Sequence, residues 1–410
     1  MTTKKKEKTP GLNRREFLGV SAGLASTAVL YSSTKASAEE STLPTPILPV
    51  LADYQPEISS AWIAKGQHEN SIDRVRQVLE STTDFSWLTK GDRVLLKIAL
   101  NSGNEYPATT DPWLIKSLVT ILKEQGAGEI LVGDQSGVEA VHWTKDQKRG
   151  SSRTLCKSAN MLGVIKESGA TPVFFEEAGY DSYIQTEPEG SHHWKTPLWV
   201  SSIVNQVDHI IYVPRVASHA MGDITAGFKL SVGFLREDSR LAFHRGGQHF
   251  YAMYEEINEV PEIKSKLRLT VTSGRKVIST IGPDMGDICE PKQGLIFASQ
   301  DLLAGELLSY AWLQWNREHE TSTFANLTKG NITRFRSFIN KKFIDKTWEP
   351  TDNIETPDMP VFRAGNIYDH PSIINNMIRR GGRPGKINWT QINQSPDPDI
   401  FDYLEKQIKV

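Results

Sequence analysis

Two side chains with chemistry to offer, His219 and Lys229, stand ten residues apart in the stretch Asp208 to Leu235, DHIIYVPRVASHAMGDITAGFKLSVGFL. An imidazole exchanges its proton near neutral pH, and a lysine amine becomes a nucleophile or an anion holder once burial lowers its pKa. His219 is a candidate general acid/base or metal ligand; the plain alternative is a loop histidine bonded to backbone. Lys229, between Phe228 and Leu230, is a candidate for holding an anion or a covalent partner; the alternative is a solvated helix lysine. Thr225 and Gly227 would bring backbone N–H groups to a phosphate or carboxylate, or simply cap the helix. Arg215 and Ser218 share the loop with His219.

These residues need a particular local structure. His209 to Val213 is an apolar run that reads as a buried strand ended by Pro214. A polar loop follows, and Ile224 to Leu235 reads as a helix or helix-like turn with Asp223 or Thr225 as its cap. A strand, a polar loop and a helix start is where open α/β sheets place ligands.

Other stretches converge on the same place. Arg93 to Leu100 is a strong buried strand, and its end carries Lys97 and Asn101. Thr109, Thr110 and Asp111 lead into a helix whose first residue is Pro112 and which stops at Gly126. Glu129 to Val132 is the next strand, followed by Asp134, Gln135, Ser136 and Gly137. This is a βαβ unit, the signature of a parallel sheet. In such a sheet these strand ends gather on one edge with His219. Asp134 is the candidate for holding a metal or orienting His219, or it is a turn residue. His244 with Arg245 is a candidate for binding an anionic substrate, and Asp284 or Asp287 could add a carboxylate. His192-His193 has no third ligand at metal spacing and reads as surface. Arg379, Arg380 and Arg383 read as a solvated basic surface, or else as an anion or partner site.

The remaining chain fills out the frame. Glu39 to Gln55 reads as an extended entry segment, and Ile72 to Glu80 as a helix with Val75, Val78 and Leu79 on one face. Residues 138–165 look helical but are interrupted by the charged run Lys145 to Arg153. Ala170 to Glu176 is a strand. Leu267 to Thr272 and Lys276 to Ile281 read as two strands joined through Ser273-Gly274, Leu295 to Ala298 as another, and Asp301 to Trp315 as a helix. The expected fold is α/β, a mainly parallel sheet with helices on both faces and a helical C-terminal extension. The expected divisions are residues 1–38, an entry segment and first helix at 39–89, an α/β core at 90–315, and the extension at 316–410.

Three stretches together resemble exported members of the domain of unknown function 362 family. They are Lys97 to Gly137 with its KIALN, ATTDP and GDQSG segments, then VPRVASH followed by ITAGFKLSVG, and Gly282-Pro283 through ASQDLLAGELLSYAWL. The resemblance covers about residues 90–315 and lies in the order of the blocks. Many members carry ferredoxin-type cysteine clusters; this chain has only Cys156 and Cys289, so no iron–sulfur cluster is encoded by its cysteines. The family pattern has Lys where Ala217 stands and Asp where Glu306 stands. The resemblance supplies no reaction. A second similarity is to the nickel-pincer-nucleotide lactate racemase group, through Pro-x-x-x-His and a lysine ten residues on. It implies His219 as a catalytic base, Lys229 as the holder of the cofactor, and chemistry at a hydroxyl-bearing carbon beside a carboxylate. That pattern has a denser glycine pair before the lysine than Ala226-Gly227-Phe228.

The N-terminus reads as a targeting segment. Lys4, Lys5, Lys6 and Lys8 precede Asn13-Arg14-Arg15-Glu16-Phe17-Leu18, which resembles the twin-arginine export motif. Phe17 to Leu30 is mildly apolar and Ala36-Ser37-Ala38 fits a cleavage site. The apolar run is shorter than the ~20 residues a membrane span needs, so no stable span remains after cleavage. The expected location is periplasmic or secreted, after export in the folded state by the twin-arginine machinery. Seven of the 47 Lys/Arg and two of the 49 Asp/Glu lie in residues 1–38, which leaves the remainder near −7. That balance argues against nucleic acid and anionic membrane as partners and leaves a small anionic molecule. In an oxidising compartment Cys156 and Cys289 would form one disulfide or stay as two buried thiols. The expected function is binding of a small anionic ligand or cofactor at the His/Lys site, with proton transfer on it. The alternative is a non-catalytic periplasmic binding or accessory protein.

Overall fold

The strand RVLLKI at Arg93–Ile98 is buried on both faces, as a central parallel strand must be. It sits inside an eight-strand path, seen in a computed structural model that describes residues 46–66, 72–319, 333–348, 366–395 and 397–409. The strands of that path and of its hairpin branch are β1 (Glu57–Ala64), β2 (Arg93–Ile98), β3 (Glu129–Asp134), β4 (Thr171–Phe174), β5 (His209–Val213), β6 (Arg215–His219), β7 (Asp223–Thr225), β8 (Leu267–Ile278), β9 (Gln293–Ser299) and β10 (Asn388–Gln391), and the short strand Ile288–Cys289 pairs with the end of β8. The order across the sheet is β10-β1-β9-β8-β5-β2-β3-β4, and β9 alone on that path runs antiparallel to its neighbours.

Alternation along the strands divides the apolar residues between two cores. Val94, Leu96, Ile130, Val132, Ile211 and Leu269 face one side. They are covered there by α1 (Ile72–Thr82), α2 (Pro112–Glu124) and the short helices α3 (Ser152–Ser158) and α4 (Met161–Glu167). Leu95, Leu131, Ile210, Tyr212, Leu295 and Phe297 face the other. That side is covered by α5 (Gly227–Leu230), α6 (Glu237–His244), α7 (Phe250–Glu256), α8 (Leu302–His319), α10 (Pro371–Arg380) and α11 (Pro398–Ile408); α9 (Thr333–Thr347) packs beside α6. The fold is therefore α/β, a mainly parallel sheet with helices on both faces and a helical C-terminal region. Asp111 caps α2 by accepting the Trp113 N–H, and Pro112 opens the helix as expected.

Four local expectations give way to the structure. The loop after Pro214 is an antiparallel hairpin, β6–β7, with His219 opposite Asp223. Proline interrupts the strand, yet the chain continues along the same neighbour, because β6 pairs with β8 where β5 leaves off. The helix from Ile224 to Leu235 shrinks to α5 and a 3-10 turn at Ser231–Phe234. Carbonyls that would carry an α-helix forward are taken by side chains: Ser231 Oγ (2.9 Å) and Asn258 Nδ2 (3.0 Å) donate to Phe228 O, and Lys97 Nζ (2.9 Å) donates to Leu230 O. The two strands expected around Ser273-Gly274 are one, β8, because β9 pairs continuously from Thr270 to Gly274 and Trp312 Nε1 donates to Gly274 O at 2.8 Å. Residues 138–165 begin with a small hairpin, His142–Trp143 against Lys148–Arg149, before α3 and α4.

The flanking segments also contribute strands. β1 lies in the entry segment and β10 in the C-terminal region, and they pair in parallel. Ser59 and Ser60 mask β1 in the sequence. Their hydroxyls are used inside the fold, with Trp389 Nε1 donating to Ser60 Oγ at 2.8 Å and Ser59 Oγ bonding Ser81 Oγ at 3.0 Å. Residues 1–38, the expected export signal, lie outside the described residues. Among the described residues no helix is long and apolar enough to cross a membrane. Cys156 and Cys289 are not joined to each other: the first is buried, and the second donates its thiol to Asn316 O at 3.7 Å.

Candidate functional site

Lys97 sits one residue before the end of β2, fully buried, with its side chain over the Phe234 ring. Its three donors are all used: Asp134 Oδ1 (2.7 Å), Leu230 O (2.9 Å) and Ile98 O (3.0 Å). Burial pulls its pKa down while Asp134 pushes it up. Asp134 is equally committed, because Oδ1 also accepts the Gln135 N–H (2.8 Å) and Oδ2 the Leu100 N–H (2.8 Å). Where the sequence reading gave Asp134 a metal or His219, its carboxylate instead ties the ends of β2 and β3 together. Gly233 passes so close that a Cβ there would meet Asp134 Oδ1 at 1.9 Å and Lys97 Nζ at 2.5 Å.

Thr109 and Thr110 are also braces. Thr109 Oγ1 donates to Asn104 O (2.9 Å); Thr110 Oγ1 donates to Val213 O (2.6 Å) and accepts the Ala99 N–H (2.8 Å). Ser136 Oγ is buried without a hydrogen-bond partner among the described residues, and its carbonyl receives Arg240 Nη1 at 2.6 Å.

Arg240 is a residue the sequence reading passed over. It is buried, and its guanidinium donates only to backbone carbonyls, those of Ser136, Gln135 (3.1 Å), Gly233 (3.2 Å) and Leu235 (3.0 Å). It thereby clamps the loop after β3 to the loop after α5 with its charge uncancelled by any of these bonds. Its signal was its spacing: Arg240 and His244 are one helical turn apart on α6 and so share a face. His244 Nδ1 donates to Arg240 O at 2.7 Å, which leaves Nε2 as the acceptor nitrogen. Phe243, Phe250, Phe343 and Trp348 pack around this ring. Burial, with Lys229 and Arg240 nearby, lowers its pKa to about 3, so it is neutral at physiological pH. Arg245 lies beyond it at the end of α6, part-exposed.

The β6–β7 hairpin carries the two residues that the sequence singled out first. His219 Nδ1 accepts the N–H groups of Met221 (3.2 Å) and Gly222 (3.1 Å). That selects a neutral ring with its proton on Nε2. The turn is fixed from outside: Tyr251 Oη donates to Met221 O (2.9 Å), and Arg317 donates to Ser218 Oγ (2.9 Å) and Asp223 O (2.6 Å). Tyr310 also donates to the Asp223 carboxylate, holding that residue at φ 63°.

Lys229 lies against the same turn, for a Cβ built on Gly222 would stand 3.5 Å from Lys229 Cε. It makes no hydrogen bond or ion pair with any described residue. It is surrounded by protein yet keeps some accessible surface. Burial, then Arg215 and Arg240, lower its pKa to about 7, against the pull of Asp284. Arg215 is buried, and its Nε has no hydrogen-bond partner among the described residues. Burial lowers its pKa to about 10, and Asp284 and Asp134 oppose that. Asp284 comes from the loop after β8 and is reached by Asn101 Nδ2, while Asn104 Nδ2 donates to its carbonyl at 2.9 Å. Burial raises the pKa of its carboxyl.

The structure therefore brings Lys97, Asn101, Asp134, Arg215, Lys229 and His244 into one charged cluster, with Arg240 and Asp284, beside the turn that holds His219. Thr225 and Gly227 stand at its back. The start of α5 already has its anion: Glu306 Oε2 accepts the Phe228 N–H at 2.9 Å, and the Gly227 N–H reaches the same carboxylate. Burial and Glu255 raise the Glu306 pKa to about 7. A nucleotide-type cofactor thus finds no phosphate seat at that terminus, and among the described residues no three metal-ligating side chains converge. The basic C-terminal cluster is also turned inward: Arg379 pairs with buried Glu255, and Arg380 with Asp301 at 3.1 Å. His193 bonds Glu256 at 2.6 Å and stacks on His249.

Fold and cluster define an α/β protein with a group of charged side chains at the carboxyl edge of a mainly parallel sheet. Residues 94–310, just over half of the chain, match the family model described as Domain of unknown function (DUF362), and the chain belongs to that family. Among solved structures, the lactate racemase apoprotein from Thermoanaerobacterium thermosaccharolyticum is similar, at 13% identity and a TM-score of 0.36. The likeness covers 55% of this chain and 51% of that one, about half its length. It belongs to the group of the second sequence resemblance. No curated protein matches the chain.

Proposed function

We propose that this cluster binds a small anion through Lys229 and Arg215. The observation that carries this reading is a difference among the four buried cations. Lys97 and Arg240 have every nearby acceptor they need, whereas Lys229 and the Arg215 Nε have none among the described residues. Cations left without partners in a low-dielectric interior favour an external anion strongly. Proton transfer on the bound molecule would fall to His219 through Nε2, with Lys229 as second proton carrier. A binding or accessory protein without turnover is the second reading. It is favoured by His219 Nδ1 being committed to two backbone N–H groups, which weakens the ring as a base.

Inorganic phosphate and pyruvate are the first probes. Each is expected to raise the melting temperature of the purified chain, and Arg215→Gln is expected to weaken the half-saturating concentration at least tenfold. Equal responses in wild type and variant would remove Arg215 from the site and the reading with it.

We further propose that residues 1–38 direct export of the folded chain through the twin-arginine machinery, placing it in the periplasm or outside the cell. Replacing Arg14 and Arg15 together by lysine is expected to leave the full-length chain in the cytoplasm. Unchanged export of the double variant would end this proposal.

A further inference from the structure

We propose that Lys229 forms a reversible imine with a small oxo acid whose carboxylate is held by Arg215. This rests on the anion-binding reading above and names the class of anion. The argument begins with which amine is available. Lys97 is the more deeply buried lysine, but its three N–H groups point at Asp134, Ile98 O and Leu230 O, so its lone pair is never free. Lys229 has no acceptor holding it charged among the described residues, and the guanidiniums of Arg215 and Arg240 disfavour its ammonium form. A lysine desolvated beside another cation is the arrangement that makes an amine nucleophilic at neutral pH.

The charged groups that act on Lys229 are Arg215 on β6, Arg240 and His244 on α6, and Asp284 after β8, and the Gly222 turn lies against its side chain. They suit the step. Nζ adds to the carbonyl carbon, forming a C–N bond, and the carbonyl oxygen takes a proton to give a carbinolamine. That oxygen then leaves as water, and the nitrogen lone pair closes the C=N bond. Overall one amine, one carbonyl and one proton give an iminium and one water, with no change of oxidation state. Asp284 is the acid at hand, since burial raises the pKa of its carboxyl. Arg215 selects a carbonyl that carries an anion over a neutral one, because its buried Nε lacks an acceptor otherwise.

The test is reductive trapping. The purified full chain is treated with pyruvate or glyoxylate and sodium borohydride, then mapped by peptide mass spectrometry. One reduced adduct on Lys229 is expected, absent in Lys229→Met. Arg215→Gln is expected to lower trapping of pyruvate at least tenfold more than it lowers trapping of neutral propanal. Absence of an adduct on Lys229, or equal labelling of exposed lysines, overturns the imine. Melting shifts with pyruvate alone separate the two ideas. A shift that depends on Arg215, without an adduct, leaves the anion site and removes the imine. Neither shift nor adduct removes both.

Discussion

Lys229→Met is expected to stabilise the chain by about 2–4 kcal/mol at pH 7 and to abolish its response to phosphate. An unfolded lysine titrates at 10.5, and in the fold this one titrates at about 7. Between those values the unfolded chain binds more protons than the folded one, so stability rises with pH across the window. The cost of Lys229 is therefore fully present below pH 7 and disappears as pH rises past 10.5. At about 1.4 kcal/mol per pH unit the full shift corresponds to ~5 kcal/mol, and the solvent that still reaches the side chain reduces it to the range given. Methionine fills a similar volume with no charge to desolvate. Denaturant unfolding of both proteins at pH 6, 8 and 10 is the measurement. The advantage of the variant should shrink steadily as pH rises, and a constant difference would mean that packing, not charge, is what changed. A residue that costs stability where it stands is the kind a functional site retains.

Much of this site was legible from residue order alone. Lys97, Asn101, Asp134 and the β5 end were placed together because parallel strands put their carboxyl ends on one edge, and the run RVLLKI has no other plausible use. What the sequence could not settle was which polar groups already satisfy one another. Asp134 and Lys97 read as a site, yet they mainly answer each other's buried charge. Thr109 and Thr110 read as ligand groups, yet they serve backbone groups of neighbouring strands. Gly227 read as a helix start open to an anion, and the filling carboxylate, Glu306, comes from 79 residues further along the chain. Arg240 shows in the sequence only as a neighbour of His244 one helical turn away; its role does not. Its four acceptors are carbonyls, which every sequence has and no motif marks. Periodicity failed for β1 because two serines occupy positions where the pattern calls for apolar residues.

The Lys97–Asp134 pair supplies the second large effect. Asp134→Ala leaves a buried ammonium without its counter-ion and frees the N–H groups of Leu100 and Gln135. Breaking one side of a buried pair costs about 3–5 kcal/mol, and each of the two orphaned donors adds roughly 1 kcal/mol, so a loss of about 5–7 kcal/mol is expected. Relaxation cannot bring a new acceptor in easily, for Gly233 already lies in contact with both partners and any side chain there would collide with them. Asp134→Asn should lose less, since an amide oxygen still accepts one of the backbone groups. Adding Lys97→Met to Asp134→Ala should recover at least 2 kcal/mol, because the uncompensated charge is then gone while the orphaned donors remain. Guanidinium unfolding of wild type, Asp134→Ala, Lys97→Met and the double variant closes this cycle. If instead Asp134 served to orient His219 or to hold a metal, Asp134→Ala would be nearly neutral in stability and additive with Lys97→Met. The site would then have to be redrawn with Asp134 at its working surface rather than in the frame beneath Lys229 and Arg215.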